Sequence, residues 1–327
     1  MVTTLPFEQP IAELTARVRD LRALVAEGHD VSTGARYATE LRRLEEKIGR
    51  LARELYSELS PWQRVQLCRH PNRPYFLDYL DRMFDDFVEL HGDRCFGDDA
   101  SIVGGFARYP KNSPRSRTVM VIGQQKGRGT KEAVRRNFGM PNPEGYRKAR
   151  RLMELADRFH KPVLTFIDTK GAFPGIGAEE RGQSEAIGQC LLTLSRLRVP
   201  VIACVVGEGG SGGALALGVA NRVLALEHVW YSVISPEACA SILWKDGTQG
   251  ERAASMLKPT AQMALELGVV DQIVDEPPGG AHHDWDGAVR RLDAAIREAL
   301  AGMQGLTEDE LVEDRYRRFR SLGAIHA

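Results

Sequence analysis

The sequence of 327 residues has few cysteines, no long hydrophobic run and no net charge. Its five cysteines are far apart and form no C-x-x-C pair, which argues against a disulfide framework and against a zinc ribbon. No stretch reaches the roughly 18 apolar residues that a membrane-spanning helix needs. The first 20 residues carry acidic side chains where a signal peptide would be apolar. We therefore expect a soluble, cytoplasmic protein with no membrane association.

The charge balance also argues against a general nucleic-acid binder, because 44 basic residues face 44 acidic ones. Hydrophobic residues make up 43% of the chain, enough for one large core with smaller appendages. We expect three segments: an N-terminal helical hairpin region over residues 1–60, a main domain over residues 61–302 and a C-terminal surface helix over residues 303–327.

Two segments near the N-terminus carry apolar residues at helical spacing. Residues three and four apart lie on one face of a helix, so the pattern predicts a hairpin of two helices with a loop over residues 28–34. The apolar faces could pack on the chain's own domain or meet a partner. The two sets are Ile11, Leu14, Val18, Leu21 and Val25, and Leu41, Leu44, Ile48, Leu51 and Leu55.

Four short apolar runs, each followed by a helical pattern, begin after about residue 100. They are TVMVIG at 118–123, PVLTFID at 162–168, PVIACVVG at 200–207 and NRVLALE at 221–227. Such runs alternating with helices indicate an α/β core. Because they are apolar throughout, both faces of the sheet should be covered.

The C-terminal segment has the features of a capped helix. Thr307 and Glu310 have capping-box spacing, arginines including Arg315 come late, and a glycine follows. This predicts a surface helix. Before it, DEPPGGAHHDWDG at 275–287 is an irregular connection. Its adjacent His282 and His283 would point apart on a regular element, so we expect no metal site there.

The densest motif, GEGGSGG at 207–213, lies between a predicted strand and a short predicted helix. Gly207, Gly209 and Gly212 fit the dinucleotide-binding pattern G-x-G-x-x-G, but Glu227, the candidate ribose ligand, follows too closely. Alternatively, consecutive glycines at a helix N-terminus can present backbone N–H groups to an oxyanion. A tight turn alone would explain two or three of the five glycines.

The same motif also fits the G-x-S-x-G pattern of serine hydrolases, with Ser211 as the nucleophile. Asp271 or Asp275, followed by His282, comes in the order that such hydrolases use. The residues alone leave this third chemistry open.

A second glycine-rich turn follows Asp168 at the end of the preceding strand. Right-handed crossovers bring successive parallel strands back in one direction, so both turns should meet at one sheet edge and form a ligand cleft. Acids at the start of the next helix could act as general acid and base, although the helix dipole favours acids there in any case. The turn contains Gly171, Pro174, Gly175 and Gly177, and the acids are Glu179 and Glu180.

Residues 126–151 hold nine basic residues and two acidic ones. Such an excess suits an anionic substrate or an acidic partner surface. The alternative is a solvated face balanced by the acidic residues between positions 78 and 89. The candidates for substrate contact are Lys126, Arg128, Arg135 and Arg136.

Six long segments, found in order, carry a family resemblance. They are FEQPIAEL, RHPNRPYFLDY, RRNFGMPNPEGYRKA, FIDTKGAFPGIGAEERGQSEAI, GEGGSGGALALG and YSVISPEACASILWK. They resemble the carboxyltransferase alpha subunits of bacterial and plastid acetyl-CoA carboxylases, from about residue 7 to residue 321. Position 170 is lysine here, where some members have proline.

The resemblance implies an α/β crotonase-like fold, a superhelix of repeated ββα units, for residues 61–302. It also implies transfer of a carboxyl group from carboxybiotin to acetyl-CoA, giving malonyl-CoA for fatty acid biosynthesis. No side-chain base is needed in this family: the biotin ureido group left after CO2 release takes a proton from the acetyl methyl, and the enolate attacks CO2.

Carried over by motif, the resemblance implies that the N–H groups of Gly212 and Gly213 form the oxyanion hole for the ureido oxygen. Substrate-binding roles are expected for residues near them, namely Gly209, Gly210, Ser211, Gly171 and Gly175, together with the four basic candidates. The resemblance implies no directly bound cofactor or metal in this chain, and zinc only in a partner beta subunit.

The implied partners are that beta subunit, in an alpha-2 beta-2 heterotetramer, the biotin carboxyl carrier protein and biotin carboxylase. Two alternatives remain open from the residues. The chain could be a free-standing acyl-CoA hydratase or hydrolase of the same fold, or a scaffold subunit without catalytic residues.

Overall fold

The computed structural model describes residues 4–26 and 31–323. Short 3-10 turns lie at Pro6–Glu8, Asn137–Gly139 and Gly247–Gln249. The strands are β1 Asp85–Glu89, β2 Ile102–Tyr109, β3 Arg117–Gln124, β4 Val163–Thr169, β5 Val201–Gly210, β6 Arg222–Leu226, β7 Trp230–Ser232 and β8 Gln272–Val274. The helices are α1 Gln9–Ala26, α2 Val31–Ser57, α3 Pro61–Cys68, α4 Phe76–Met83, α5 Gly129–Arg135, α6 Pro143–Arg158, α7 Ile176–Glu180, α8 Gln183–Arg196, α9 Ser211–Leu215, α10 Pro236–Trp244, α11 Gly250–Leu257, α12 Ala261–Glu266, α13 Trp285–Gly302 and α14 Glu308–Arg320.

The N-terminal hairpin is confirmed as α1 and α2, with one correction to its loop. Helix α2 begins at Val31, so the loop predicted over residues 28–34 is too long. Residues 27–30 and the side chain of Val25 lie outside the described residues.

The hairpin packs on the chain's own main domain at its base. Ala52, Tyr56 and Leu59 form an apolar cluster with Leu67 of α3, and Phe7 packs against this cluster. Burial of large apolar side chains supplies most of the stability of such a junction. Of the two alternatives, packing of the hairpin on the chain's own domain is therefore confirmed for the C-terminal end of α2.

Across the described part of the chain, the strands form one mixed sheet in the order β1-β2-β3-β4-β5-β6-β8, with β7 beside the end of β5. Strands β1 to β3 pair antiparallel, and β3 to β8 pair parallel. All residues of β4 and β5 are buried, which confirms that both faces of the sheet are covered. Helix α6 contacts β2 and β3, while α13 contacts β5, β6 and β8.

The four predicted strands are confirmed as β3 to β6, whereas β1, β2, β7 and β8 were missed. Strand β2 contains Gly104 and Gly105, and these glycines hide its apolar pattern. The turn residues PKNSPR between β2 and β3 are the signal that could have revealed this hairpin. Strands β7 and β8 have three residues each, too few to show a periodicity.

Helix α14 begins as predicted, because the Thr307 side chain accepts a hydrogen bond from the N–H of Glu310 and the capping box is complete. It is not simply a surface helix. The guanidinium of Arg315 is buried and donates to the carbonyls of Leu194, Leu197 and Val199 and to Oδ1 of Asn221. Burial of the charge is compensated by these bonds to the two terminal nitrogens, although Nε has no partner among the described residues.

The division of the chain at residues 60 and 302 stays a prediction. No helix within residues 4–26 and 31–323 combines the length and the apolar character needed to cross a membrane.

Candidate active site

The two glycine-rich loops meet at the carboxyl edge of the parallel strands, as the sequence predicted. Thr169 at the end of β4 pairs with Gly209 near the end of β5. The loops then run in backbone contact. A Cβ on Gly210 would lie 2.0 Å from the carbonyl oxygen of Lys170, and one on Gly213 would lie 2.4 Å from the nitrogen of Ala172. Only glycine permits such an approach.

Close contacts also explain why two further positions in the first loop are glycine. A Cβ on Gly207 would lie 2.1 Å from Oδ1 of Asp168, and one on Gly209 would lie 2.6 Å from the ring of Tyr231. Close packing therefore requires four of the five glycines in GEGGSGG. This corrects the sequence argument, in which a tight turn explained only two or three of them.

Gly212 is the exception. Its Cβ would meet only the Ile187 side chain, at 3.6 and 3.7 Å, which is ordinary van der Waals contact. Among the described residues, no close contact requires glycine at this position. The neighbouring Ser211 is exposed and has a φ of +55°, a conformation that costs a non-glycine residue about 1 kcal/mol or more.

Helix α9 has only five residues. Its dipole is therefore small, and the first-turn N–H groups would act as individual donors without intrahelical partners. The carbonyl of Gly213 accepts a hydrogen bond of 2.8 Å from Nε2 of the buried Gln124, whose Oε1 accepts from the N–H of Asp168 at 3.1 Å. Gln124 thus joins the end of β4 to the first turn of α9.

The serine-hydrolase hypothesis fails on geometry. Nε2 of His282 is hydrogen-bonded to Oε1 of Glu8 at 3.0 Å, and its Nδ1 has no partner among the described residues. Asp271 accepts from Nε of Arg318 at 2.8 Å and from the N–H of Val223 at 2.6 Å. The base of the proposed triad and one of its two candidate acids, Asp271, therefore serve other contacts.

The dinucleotide hypothesis is also weakened. Helix α9 has only five residues, and the carboxylate of Glu227 accepts the N–H of Glu276 at 3.1 Å. The oxyanion-binding interpretation remains.

A cavity of about 200 Å³ opens at the same sheet edge, and it is lined by Cys68, Arg69, His70, Tyr75, Lys126, Gly127, Ala133, Phe138, Lys170 and Glu208. At its wall, Nζ of Lys126 lies 2.6 Å from Oδ1 of Asp168 and 2.7 Å from Oε2 of Glu208. Arg69 donates from Nε to Oε1 of Glu208 at 2.7 Å and also pairs with Glu237. We call these five residues the charge cluster.

The pKa values of four groups in the charge cluster are shifted toward their charged forms, whereas burial raises the pKa of Asp168 above its ordinary value. Burial would raise the pKa of Glu208, but Lys126 and Arg69 lower that pKa to about 2. Burial alone would lower the pKa of Lys126, and Asp168 and Glu208 raise it above its ordinary value. A general base works best with a pKa near neutrality, so Glu208 is unsuited to that role. Burial also raises the pKa of the Cys68 thiol to about 12, which makes it a poor nucleophile.

The four basic candidates do not converge on one ligand. The guanidinium of Arg128 stacks between the rings of Tyr75 and Trp285, at 4.4 and 4.7 Å, and pairs with Asp78 at 2.8 Å. Arg136 is buried and donates to the carbonyl of Ala100. Lys126 belongs to the charge cluster. Arg135 is exposed at the end of α5 and is available to a ligand or partner.

The second loop is shaped by its glycines. Gly171 has a φ of +148°, which favours glycine, and a Cβ on Gly175 would lie 2.4 Å from the ring of Phe173. Glu179 and Glu180 are exposed on the short helix α7. Glu179 lies in the first turn of α7, where the helix dipole favours an acid, whereas Glu180 is the last residue of that helix.

Residues Glu8, His282 and His283 could together hold a metal ion, since one ligand atom from each lies within 4.8 Å of the others. This corrects the steric argument from the sequence, because residues 281–284 are irregular and adjacent side chains there can share a side. Glu8 already accepts hydrogen bonds from the Tyr56 hydroxyl and from His282. The absence of a metal in this chain stays a prediction.

Sequence reasoning missed the roles of Glu208, Arg69 and Gln124. The signal that could have found Glu208 is an ionisable residue within a buried apolar strand, which requires a charged partner. Its partners lie 82 and 139 residues away, so sequence spacing could not identify them.

Relatives with known names match nearly the whole chain. The family model described as acetyl co-enzyme A carboxylase carboxyltransferase-like matches residues 4–323. The acetyl-coenzyme A carboxylase carboxyl transferase subunit alpha of Sorangium cellulosum is 62% identical, and that of Thermus thermophilus is 56% identical. Each alignment covers 98% of this chain and 98% of the relative.

Solved structures agree at the level of the fold. Transcarboxylase 12S aligns with a TM-score of 0.56 at 20% identity, over 71% of this chain and 42% of that one. A Pseudomonas malonate decarboxylase hetero-tetramer aligns with a TM-score of 0.53 at 22% identity, over 69% of this chain and 89% of that one. The crotonase-like fold is thereby confirmed.

A fold shared at about 20% identity identifies no activity. The full-length matches above 50% identity, together with two glycine-rich loops in contact at the sheet edge, place this chain in the acetyl-CoA carboxylase carboxyltransferase alpha family.

Proposed function

We propose that this chain is the alpha subunit of a carboxyltransferase that moves the carboxyl group of carboxybiotin to acetyl-CoA, giving malonyl-CoA. One observation carries the proposal: 62% identity over 98% of an acetyl-coenzyme A carboxylase carboxyl transferase subunit alpha. The family membership also favours this function over the hydratase, hydrolase and scaffold alternatives.

The site chemistry agrees with a reaction that uses no side-chain base. Glu208 is held ionised with a pKa of about 2, and Cys68 is held protonated. The substrate itself must then provide the group that accepts the proton. The ureido nitrogen of biotin, after losing CO2, accepts a proton from the acetyl methyl, and the resulting enolate attacks CO2 to form the new carbon–carbon bond.

In this proposal, the backbone N–H groups of Gly212 and Gly213 stabilise the ureido oxyanion. Fixed donors aimed at developing charge need no reorganisation during the reaction, which is why removing one typically costs about 2.7–4 kcal/mol of barrier. The open space at Gly212 and the anchoring of α9 by Gln124 support this assignment. Gly209, Gly210, Ser211, Gly171 and Gly175 would shape the surrounding wall.

We further propose that a beta subunit supplies the second oxyanion hole, in an alpha-2 beta-2 heterotetramer, and that zinc binds only to that subunit. The biotin carboxyl carrier protein would deliver the substrate, after biotin carboxylase has loaded it, in the cytoplasm. The absence of any C-x-x-C pair in this chain is in keeping with zinc in the partner.

The test is a carboxyl-transfer assay with and without the beta subunit. The chain alone and the complex formed by co-expression are each supplied with malonyl-CoA and biotin, and acetyl-CoA formation is followed. We expect turnover only in the complex. Biotin-independent activity of the isolated chain on enoyl-CoA or acyl-CoA would contradict the proposal, and so would an inactive complex.

A further inference from the structure

The sheet edge beneath the two glycine-rich loops is irregular. Ile167 of β4 pairs with Val205 of β5, whereas Thr169 pairs with Gly209. Three residues of β5 therefore lie opposite Asp168 alone, and the ladder of hydrogen bonds is interrupted there. An interrupted ladder leaves backbone groups unpaired and locally bends the strand. Something other than backbone pairing must hold the two strand ends together.

Asp168 does this with its side chain. Its Oδ1 accepts the N–H of Glu208 at 2.9 Å, which pairs the backbone group that the bulge leaves free. Gly207 has no Cβ, and this allows the carboxylate to lie against β5. The result is a buried carboxylate directly beside the buried carboxylate of Glu208; the two side chains are 4% and 1% exposed.

Lys126 makes that arrangement possible. Two adjacent buried carboxylates repel each other and are costly to desolvate. Nζ of Lys126, two residues after the end of β3, lies within 2.7 Å of an oxygen of each carboxylate and offsets one of the two negative charges. The lysine therefore joins the carboxyl ends of three neighbouring strands. On the far side of Glu208, Arg69 provides the second cation.

We propose that Lys126 is a positioning residue for carboxyl transfer, whose ammonium group fixes the spacing between the loops at residues 169–175 and 209–213. This rests on the proposed function of the site. The loops are in backbone contact at Gly210 and Gly213, so a shift of either strand end moves the N–H groups of α9. Catalytic groups tolerate displacements of only about 0.5 Å, and about 1 Å can cost roughly a hundredfold in rate.

A positioning role for Lys126 and a substrate-binding role predict different changes in kcat and KM. A lysine that binds substrate would raise KM when lost. A lysine that positions the loops should lower kcat and leave KM for malonyl-CoA nearly unchanged, because the binding surface remains while the oxyanion donors are displaced.

The experiment compares variants of the complex with the beta subunit, using malonyl-CoA and biotin as probes. Lys126→Met removes the charge at nearly constant volume. Lys148→Met is the matched control. Lys148 lies on α6, its side chain is 1% exposed, and its Nζ pairs with Oδ1 of Asp98 at 2.5 Å. We expect about a hundredfold loss of kcat in Lys126→Met, with KM within about twofold of wild type. Lys148→Met should lower the melting temperature without a comparable loss of kcat.

A double variant, Lys126→Met with Asp168→Asn, separates positioning from stability and carries the test if the single variant does not fold. Glu208 keeps Arg69 as its partner, whereas Asp168 pairs with Lys126, so removing the Asp168 charge relieves the uncompensated carboxylate; the melting temperature should recover while kcat stays low. Recovery of kcat together with the melting temperature would overturn the inference. Wild-type kcat in Lys126→Met, an equal loss in Lys148→Met, or a rise in KM alone would do so too. An inactive wild-type complex would instead contradict the proposed function.

Discussion

Replacing Gly212 by alanine tests the oxyanion hole without disturbing the fold. The new methyl group would lie 3.6 Å from Cγ2 and 3.7 Å from Cδ1 of Ile187, which requires no rearrangement. The backbone of Gly212 has no positive φ, so alanine is compatible with it. Replacing a glycine at such a position should stabilise the protein by about 0.4–1 kcal/mol, because the unfolded chain loses conformational freedom.

The rate should change in the opposite direction. A methyl group at the mouth of the hole keeps a substrate oxygen from reaching the backbone N–H groups, which is equivalent to losing at least one donor. The expected loss is about 2.7–4 kcal/mol of transition-state stabilisation, or a factor of roughly 10² to 10³ in kcat. A stabilised but nearly inactive variant is the expected outcome.

The assay measures acetyl-CoA formation from malonyl-CoA and biotin in the complex, alongside the melting temperature. Gly213→Ala is the comparison, because its Cβ would lie 2.4 Å from the nitrogen of Ala172 and must displace backbone; it should lose stability as well as rate. Ser211→Ala should retain activity. Full activity in Gly212→Ala would refute the oxyanion assignment, and complete loss in Ser211→Ala would revive the nucleophile hypothesis.

Four further predictions concern basic residues and pH. Arg128→Ala should lower the free energy of unfolding by about 1–2 kcal/mol, because the ring contacts are lost, and should leave KM unchanged. Arg135→Ala should raise KM for malonyl-CoA without changing the melting temperature. The reverse pattern would contradict both assignments. Arg315→Ala should cost about 3 kcal/mol or more in urea unfolding, because buried acceptors lose their donor, with kcat at 25 °C unchanged. Burial would raise the pKa of Glu276, but Arg73 lowers it to about 2, so this carboxylate stabilises the fold fully above its unfolded pKa of about 4.3 and progressively less as the pH falls toward 2. The stability advantage of wild type over Glu276→Gln, on the order of 2–3 kcal/mol, should therefore shrink over that range, and a constant difference would count against the assignment.

Local patterns in the sequence predicted much of the fold. The apolar runs at 118–123, 162–168, 200–207 and 221–227 became β3 to β6, because an apolar run of strand length must be buried on both faces. Thr307 and Glu310 marked the start of α14, since a capping box involves only four consecutive residues. The meeting of the two glycine-rich loops also followed from local order, because right-handed crossovers leave parallel strand ends at one edge.

Tertiary structure decided what the glycines and charges do. Whether a glycine is required by close packing depends on which backbone approaches it, and Lys170 and Ala172 approach Gly210 and Gly213 from another loop. In the sequence, Lys126 is one of several basic residues in a basic segment; only the fold shows that Asp168 and Glu208 lie beside it. The sequence by itself indicated the four central strands, the N-terminal hairpin, the last helix and the family; the partners of each buried charge, and which glycines are required by close packing, depend on contacts between residues far apart in the chain, which no local pattern records.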